Sequence, residues 1–397
     1  MAKLTHPCAR RAGRPFGRCF AYLAFPLLCC AWLHLNVFGC QDCRAFVPRR
    51  AVALGGALWL RPAPAQAVAT GIPPPGSIGA ALRVPGSPLG KDSSCWDVLD
   101  TSGLEGKTAL VTGANCGIGY HTALALAYGG AEVVLACRDP KKGEAARAAM
   151  VAALESAGVR KHNLRTAELD LSSLSSVQRF ADSWKASGRP LHLLCLNAGV
   201  MAIPEYRTSA DGIEMTLATN HLGHFALTTA LQGTLEASAP ARVVTVSSEA
   251  HRAPSNPLDV SNLPPSRERY DDWGAYQQSK LANILFSSEL ARRFKERGAA
   301  VTSNALHPGV IVTDLGRQQF LKGQVLLSTF QDRTAEQGAA TSVYCLSAKR
   351  LDGVTGKYFR DCSEALPSEY AADTDAAGKL WRWSEEALEK HRRATIV

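Results

Sequence analysis

The sequence predicts a doubly wound α/β domain with a parallel sheet, and two observations support this fold class. From Lys107 onward, short apolar runs alternate with longer amphipathic segments, a pattern typical of parallel strands joined by helical crossovers. A glycine-rich turn also closes the first apolar run and opens the first amphipathic segment. We expect one domain over residues 103–397, because about 300 residues can form a single core of this class.

The individual elements follow from the same alternation, taken in chain order. Predicted strands lie at 107–112, 132–136, 164–168, 191–196, 242–247 and 357–359. Predicted helices lie at 117–128, 141–156, 273–286, 332–347 and 378–390. The last helix carries Leu380, Trp381, Trp383 and Leu388, which we interpret as a core or dimer contact rather than a ligand site.

The positive charge of the chain is concentrated at its N-terminus. The chain has 44 Lys and Arg against 35 Asp and Glu, a net charge of +9. Residues 1–67 hold nine of the basic residues and one acidic residue, which leaves 35 basic and 34 acidic residues, a net of +1, for the rest. A nearly neutral body excludes the basic footprint of a nucleic-acid-binding protein.

Residues 1–67 are predicted to be a targeting leader. An apolar run at 19–38 is long enough for a signal sequence or a membrane anchor. A small-residue cleavage site at 43–45, followed by a basic segment from Phe46, resembles the two-part plastid leaders of algae with secondary plastids. The apolar unit at 49–67 favours a transit peptide, with a twin-arginine thylakoid signal as the alternative. For the whole leader, an anchor in the endoplasmic reticulum membrane stays open, and the Pro-, Gly- and Ser-rich residues 68–102 are predicted to be a flexible linker.

The cysteines and histidines do not suggest a metal site. Six cysteines lie in the leader and six in the body, and none of the body cysteines has zinc-like spacing. We expect free thiols in a reducing compartment. His221, His224 and His307 are interpreted as structural, and no metal is expected.

The glycine-rich turn at 112–119 predicts a dinucleotide site. Gly113 permits the sharp turn, Gly117 lets the backbone approach a pyrophosphate, and Gly119 allows close helix packing. The N-terminus of the following helix then offers free N–H groups to the anion. The nucleotide contacts expected here are Thr112, Gly113, Asn115, Cys116, Gly117, Ile118 and Gly119.

The end of the second strand favours NADP(H) as the cofactor. NAD-binding proteins usually have Asp or Glu there for the ribose hydroxyls, whereas this chain has Cys137 followed by Arg138. The Arg138 guanidinium is then available for a 2′-phosphate. Two alternatives stay open: a shifted register that would use Asp139, and an Arg138 that is simply a surface residue.

Tyr276 and Lys280 lie four residues apart in a predicted helix and therefore share one face. A neighbouring ammonium lowers the pKa of a phenol, and lowering it by about three units takes roughly 4 kcal/mol. Such a phenol can exchange a proton with a carbonyl oxygen near neutral pH. Tyr-x-x-x-Lys alone is also a common accident on amphipathic helices, so the pair depends on its context.

The ordered motifs over about residues 104–388 resemble the short-chain dehydrogenase/reductase family. The family pattern is TGxxxGxG, then NAG, then a catalytic Asn, Ser and Tyr-x-x-x-Lys. The matching residues are Gly113, Gly117 and Gly119; Asn197, Ala198 and Gly199; Asn220; Ser248; and Tyr276 and Lys280. The runs at 220–225, 279–283, 306–310 and 356–359 are similar to the retinol dehydrogenase and WW-domain oxidoreductase branch.

The resemblance implies a role for each matching residue. Tyr276 would donate a proton to a substrate carbonyl, and Lys280 would lower its pKa and bind the nicotinamide ribose. Ser248, with Ser247 as the alternative, would hold the developing oxyanion. Asn220 would support a water chain that feeds protons to Lys280. Further cofactor contacts are expected from Asp170, Leu171, Asn197, Ala198, Gly199, Pro308, Gly309, Val310 and Thr313.

These observations predict an NADPH-dependent oxidoreductase that interconverts a carbonyl and an alcohol on a retinal-like, terpenoid or lipid-derived substrate. The 27 residues between Ser248 and Tyr276 include four prolines and are expected to form part of the substrate wall. A light-dependent protochlorophyllide reductase is the alternative enzyme. A non-catalytic NADPH-binding sensor or scaffold is the alternative from another class. Membrane association through the leader and a homodimer are left open.

Overall fold

The computed structural model describes residues 89–253, 258–311 and 333–396. The predicted leader, most of the predicted linker and Thr313 lie outside these ranges. Within them, eight strands form one sheet in the order β3-β2-β1-β4-β5-β6-β7-β8. Neighbours from β1 to β7 pair in parallel, and β8 runs antiparallel to β7. The strands are β1 Thr108–Thr112, β2 Glu132–Cys137, β3 Asn163–Glu168, β4 Leu193–Leu196, β5 Ala241–Val246, β6 Val301–His307, β7 Tyr358–Arg360 and β8 Ser363–Ala365. The predicted doubly wound fold class is confirmed.

Helices connect the parallel strands. They are α1 Cys95–Val98, α2 Gly117–Tyr128, α3 Pro140–Ser156, α4 Leu174–Ala186, α5 Met215–Leu217, α6 Gly223–Ala230, α7 Gln232–Ala237, α8 Asp272–Glu296, α9 Ala335–Ser347 and α10 Thr374–Ile396. A π-helical turn at Ala218–Leu222 joins α5 to α6. Side-chain caps fix several helix starts, such as Asp271 at α8, whose carboxylate accepts from the Gly274 N–H. Among the described helices, none is long and apolar enough to cross a bilayer.

The helices cover both faces of the sheet and create two core layers. On one face, α2 and α3 contribute Leu124 and Met150 to a cluster with the sheet and α9. On the other face, α6 and α8 contribute Phe225 and Phe286. Strands β1 and β4 are buried along their whole length. The carboxyl ends of the central strands are therefore held at one edge, where ligands bind in folds of this class.

Helix α10 closes the second core layer through Trp381. This side chain is 4% exposed and its ring stacks on Phe286 at a centroid distance of 6.0 Å. It also meets Phe225 edge-on at 4.8 Å. Trp381 is therefore a core residue, which was one of the two roles, core or dimer contact, expected for the apolar residues of this helix.

The end of the predicted linker is folded, which corrects the expectation of flexibility up to residue 102. Ser94 and Asp97 form a capping box that starts α1. Trp96 is 3% exposed and meets Tyr128 edge-on at 5.7 Å. A buried Trp supplies enough apolar area to anchor a short segment, even where Pro and Gly are frequent nearby.

The segment between Ser248 and Tyr276 packs against two neighbours. Leu258 is buried in a cluster with α8 and α10. The Tyr270 hydroxyl donates to the Ile203 carbonyl oxygen at 2.7 Å. The second contact attaches this segment to the chain that leaves β4, close to the candidate site.

Candidate active site

The glycine-rich turn joins β1 to α2 at the carboxyl edge of the sheet. Gly113 and Gly117 have φ values of +65° and +56°, which only glycine adopts readily. A Cβ on Gly119 would collide with the Gly113 carbonyl oxygen and lie 2.5 Å from Asn197 Nδ2. Asn115, Cys116 and Ile118 keep exposed surface on the turn. The backbone at the start of α2 thus fits a pyrophosphate, which needs close approach and free N–H groups.

Thr112 ties the end of β1 to the end of β4. Its side chain is 0% exposed, and its Oγ1 accepts from the backbone N–H groups of Asn197 (2.9 Å) and Ala198 (3.0 Å). In turn, Asn197 Nδ2 donates a hydrogen bond to the Thr112 carbonyl oxygen at 2.9 Å. The Thr112 side chain therefore positions these two strand ends, and the expected cofactor contact of Thr112 stays a prediction.

Four buried residues, Thr112, His224, Asn220 and Ser279, form a hydrogen-bonded chain that we call the buried frame. His224 Nδ1 lies 3.0 Å from the Asn220 carbonyl oxygen, which can only accept, so Nδ1 carries the proton. Nε2 then accepts from the Thr112 hydroxyl at 2.9 Å. Asn220 Nδ2 donates to Ser279 Oγ at 2.9 Å, and Ser279 donates to the Tyr276 carbonyl oxygen at 2.7 Å. Burial lowers the pKa of His224 to about 4, which keeps this ring neutral.

Asn220 also holds the turn that follows β4. Its Oδ1 accepts from the Val200 N–H at 2.8 Å, and its Nδ2 donates to the Val200 carbonyl oxygen at 2.9 Å. A Cβ on the neighbouring Gly199 would lie 3.1 Å from Asn220 Oδ1 and 3.6 Å from Lys280 Nζ. Because protein groups occupy both ends of the amide, the Asn220 side chain positions this turn beside Lys280, and the water-chain role of Asn220 stays a prediction.

The two serines after β5 face different neighbours. Ser247 is 2% exposed and donates to the Lys280 carbonyl oxygen at 2.6 Å. The Ser248 hydroxyl lies within hydrogen-bonding reach of the Tyr276 phenol. Successive side chains of extended backbone point to opposite sides, so only one serine can meet the phenol. The structure places Ser248 there.

Tyr276 and Lys280 lie on one face of α8, as their spacing predicts. Lys280 Nζ lies 5.6 Å from the centre of the Tyr276 ring and donates to the Val246 carbonyl oxygen at 3.1 Å. Burial lowers the pKa of Lys280 to about 8. Burial also raises the pKa of Tyr276 to about 12, opposed by the hydrogen bond from Ser248.

The predicted acidification of Tyr276 is therefore wrong for the protein alone. The expectation took the attraction of a neighbouring ammonium as the dominant effect. In the structure, Tyr276 and Lys280 are 5% and 4% exposed, and lost hydration disfavours the charged form of each side chain.

Apolar side chains pack in one cluster with Tyr276. Met201 and Ala202 are buried with Tyr276, and Ala250 and Trp273 pack against this cluster. The Trp273 ring lies 5.9 Å from the Tyr276 ring at an angle of 76°. Sequence analysis missed this apolar cluster, although Trp273 lies one helical turn before Tyr276 and so shares its face.

Arg138 is exposed directly after β2. The next residue, Asp139, caps α3, because its Oδ1 accepts from the N–H groups of Lys141 at 3.0 Å and Lys142 at 3.2 Å. Asp139 Oδ2 takes no part in this cap. Asp139 and Arg138 therefore both keep hydrogen-bonding capacity at this strand end.

Asp170 and Leu171 follow β3. Asp170 Oδ1 accepts from the N–H and the hydroxyl of Ser172 at 2.9 and 2.7 Å, and its side chain keeps some exposure. Leu171 is 5% exposed and packs in the core. The expected cofactor contact of Leu171 stays a prediction.

Pro308, Gly309 and Val310 follow β6 at the same edge. Arg333, which sequence analysis missed because no motif marks it, is buried behind them. Its Nη1 donates to the Pro308 carbonyl oxygen at 3.5 Å, and its Nη2 donates to Asp361 Oδ1 at 2.5 Å. A Cβ on Gly309, which has a φ of +96°, would collide with the Arg333 side chain. This contact shapes the turn where a nicotinamide carboxamide was expected.

The remaining histidines have structural partners. His221 Nε2 lies 2.9 Å from Ser384 Oγ, and the Glu249 N–H donates to His307 Nδ1 at 3.1 Å. Over residues 89–253, 258–311 and 333–396, no cluster of three His, Cys, Asp or Glu side chains could hold a metal ion. In the same ranges all six body cysteines are free thiols, as expected.

The fold and the site together define an oxidoreductase of the nucleotide-dependent α/β class. A dinucleotide turn follows β1, and a Ser–Tyr–Lys group lies at the ends of β5 and α8. A family model described as "short chain dehydrogenase" matches residues 107–260. The chain belongs to this family, whose members use NAD or NADP.

Individual relatives agree with this assignment. WW domain-containing oxidoreductase of Homo sapiens is 41% identical over 307 residues, covering 75% of this chain and 72% of that protein. Retinol dehydrogenase 12 of Homo sapiens is 43% identical over 287 residues, covering 72% and 87%. The protochlorophyllide reductase alternative gains no support from these comparisons.

Solved structures show the same architecture. The crystal structure of an uncharacterised protein from Mycobacterium Paratuberculosis has a TM-score of 0.58 and 36% identity, covering 75% of this chain and 98% of that one. The Pseudomonas aeruginosa RhlG/NADP complex has a TM-score of 0.51 and covers 66% of this chain and 96% of its own. At 23% identity, the second comparison shows the fold alone.

Proposed function

We propose that the protein is an NADP-dependent dehydrogenase/reductase that interconverts a carbonyl and an alcohol on an apolar substrate. One observation carries the proposal: Ser248, Tyr276 and Lys280 converge beside the dinucleotide turn, with apolar side chains packed in one cluster with Tyr276. A family member with this arrangement has a proton donor, an oxyanion partner and a cofactor site in one place.

The cofactor choice rests on the end of β2. Arg138 is exposed, and among the described residues its guanidinium has no hydrogen bond or ion pair. Asp139 is already used as the α3 cap. A planar guanidinium suits a 2′-phosphate, and the position directly after the strand, where NAD-binding proteins usually have Asp or Glu, is Arg138 here.

In the reduction direction, the protein groups handle the proton and the oxygen. NADPH supplies the hydride when bound. Tyr276 donates its phenolic proton to the carbonyl oxygen, and Ser248 donates a hydrogen bond to the same oxygen as charge develops there. Lys280 is held by the Val246 carbonyl oxygen. When Lys280 is protonated, its positive charge favours the phenolate that Tyr276 becomes after it has given up its proton. The buried frame fixes the start of α8, so the phenol keeps its position.

The substrate class rests on the apolar cluster of Met201, Ala202, Ala250 and Trp273. These side chains offer carbon atoms and one indole ring beside the reacting phenol. An aldehyde or ketone with an extended hydrocarbon body would bury apolar area there. Retinal-like, terpenoid and lipid-derived carbonyls share that property.

Turnover by the Tyr276→Phe variant tests the proposal. We expect the wild-type protein to oxidise NADPH in the dark with retinal or a long-chain aldehyde, and Tyr276→Phe to lose activity by at least about 10²-fold. NADPH should still bind the variant, measured by nucleotide fluorescence. Tyr344→Phe, a buried tyrosine of α9 outside the site, is the control. Unchanged turnover by Tyr276→Phe would refute the mechanism and favour a nucleotide-binding protein without this chemistry.

Cofactor preference is tested separately with Arg138→Ala. Loss of one charge-assisted contact should weaken NADPH binding by about tenfold or more, while NADH binding stays within about twofold of the wild type. Arg160→Ala, an exposed arginine beyond α3, should change neither. Equal losses for both nucleotides would contradict a 2′-phosphate contact.

A further inference from the structure

A cavity lies between the edge strand β3 and helix α4. Its volume is about 510 Å³. Val134, Phe180 and Trp184 form an apolar floor and wall, and Arg165, Arg179 and Arg189 line it as well. We call this cavity the arginine cleft. The lining runs along β3 from Arg165 to Glu168, and Glu168 pairs in register with Cys137 at the carboxyl end of β2. None of residues 112–119 lines the cleft.

Two of the three arginines are held in place by one carboxylate. Glu132 Oε1 accepts from Arg165 Nε at 3.0 Å and lies 3.1 Å from Arg189 Nε. Both contacts use Nε, so within the described residues the terminal guanidinium nitrogens make no hydrogen bond. The Glu132 carboxylate is thus shared by two guanidinium groups, which leaves an excess of positive charge at fixed positions.

The third arginine adds to this excess. Arg179 is exposed on α4 and makes no hydrogen bond or ion pair with any described residue. Glu168 is the one acidic residue of the lining. With Glu132, which pairs with two of the arginines, three guanidinium groups face two carboxylates, and the excess of one positive charge favours an anion in the cleft.

The wall of the cleft is aromatic. Phe180 and Trp184 are 7% and 3% exposed, and their ring centroids lie 6.0 Å apart with an angle of 31°. The Arg189 guanidinium lies 5.5 Å from the Trp184 ring centroid. An apolar surface thus borders the basic groups directly, so a ligand could use both.

We propose that the arginine cleft binds a phosphate monoester with a flat apolar body. Guanidinium groups bind phosphate oxygens in pairs, and the phosphate of a monoester carries the negative charge that the positive excess favours. The body of the ester would lie against Phe180 and Trp184, and the cavity volume is that of a small-molecule site. A soluble ester and a phosphatidic acid headgroup share this chemistry. The proposal does not depend on the proposed reaction, because no residue of the active site lines the cleft.

Calorimetric titration of the full chain with phenyl phosphate, inorganic phosphate and phenol tests the proposal. We expect phenyl phosphate to bind once per chain and more tightly than the other two probes. Arg179→Ala and Ser183→Glu should each weaken binding by at least about tenfold, because they remove a guanidinium or add a carboxylate at the exposed rim. Arg382→Ala, on exposed α10 surface, is the control and should bind as the wild type does. Equal unfolding midpoints for all variants would show that the fold is intact.

The remaining outcomes decide the source of the phosphate or reject the site. Co-sedimentation with phosphatidylcholine vesicles that contain phosphatidic acid, lost in Ser183→Glu, would support the proposal with a lipid as the source. Binding of soluble phenyl phosphate alone would support it with a soluble ester. Three results would overturn it: no binding, binding unchanged by Ser183→Glu, or displacement of phenyl phosphate by NADPH. Equal affinity for inorganic and phenyl phosphate would also overturn it, since the aromatic wall would then contribute nothing.

Discussion

Lys280 is predicted to destabilise the folded protein at neutral pH, and Lys280→Met is expected to relieve that cost. Lys280 is 4% exposed, and burial lowers its pKa from 10.5 to about 8. Each unit of pKa shift corresponds to about 1.4 kcal/mol, so protonated Lys280 costs the folded state about 3 kcal/mol. The variant loses the hydrogen bond to the Val246 carbonyl, worth about 1 kcal/mol, but that oxygen keeps the bond from Asn283 Nδ2 at 3.2 Å. Lys280→Met should therefore be more stable by about 2 kcal/mol at neutral pH.

The sign of the pH dependence follows from the same shift. Below about pH 8 both folded and unfolded protein carry the Lys280 proton, so the cost is fully present. Between about pH 8 and 10.5 the unfolded chain binds more protons than the folded one, so the wild type gains stability as pH rises. Tyr276 acts in the opposite direction: its pKa is raised from 10.0 to about 12, so stability falls as pH rises above 10.0. The advantage of Lys280→Met should thus shrink from neutral pH toward about pH 10.

Urea unfolding of the cofactor-free protein, followed by circular dichroism at about pH 7 and about pH 10, measures this difference. Burial also raises the pKa of thiols such as Cys137 and Cys195, but these groups are common to both proteins and cancel in the comparison. Lys295→Met, an exposed position on the same helix, is the control and should change stability by less than about 0.5 kcal/mol. A Lys280→Met variant that is less stable than the wild type, or whose advantage does not vary with pH, would refute the reasoning.

Two further predictions separate neighbouring residues by their contacts. Ser248→Ala should lower turnover by about 10²-fold or more and cost about 1 kcal/mol of stability, because Ser248 Oγ accepts from the Ala250 N–H at 3.2 Å. Ser247→Ala should cost about 1 kcal/mol as well but leave most of the turnover. Steady-state kinetics and urea unfolding of both variants check this, and a larger kinetic loss in Ser247→Ala would reverse the assignment. Trp381→Ala should cost about 3–5 kcal/mol, because its ring packs on Phe225 and Phe286. An unfolding midpoint close to that of the wild type would show that Trp381 is not a core residue.

The sequence was most informative where burial is continuous. β1 and β4 are buried at every position, so their apolar runs identify them without periodicity. β6 was not predicted from the sequence, because it carries polar residues within a central strand. Asn304 Oδ1 accepts from the Lys357 N–H, and its Nδ2 donates to the Val354 carbonyl oxygen. Those partners lie about fifty residues away in the chain, and no local sequence pattern predicts these contacts.

Within the site, spacing could be predicted but environment could not. The i, i+4 relation placed Tyr276 and Lys280 on one face, since it depends only on helix geometry. The direction of the Tyr276 pKa shift depends on burial, to which the loops around Met201 and Trp273 contribute. The choice between Ser247 and Ser248 depends on strand register, where one residue reverses the face. Both properties arise only when distant segments come together.

The buried frame helps to hold Lys280, whose burial destabilises the folded protein, beside the phenol of Tyr276. Thr112, His224, Asn220 and Ser279 connect the dinucleotide turn to the start of α8 through neutral groups alone. A neutral chain adds no further charge to a region where Lys280 is already hard to protonate. Because burial holds the pKa of His224 near 4, the frame keeps its donor and acceptor pattern throughout the pH range in which Lys280 changes charge. Movements of the dinucleotide turn and of the catalytic helix are therefore linked by hydrogen bonds that do not titrate as the catalytic lysine does.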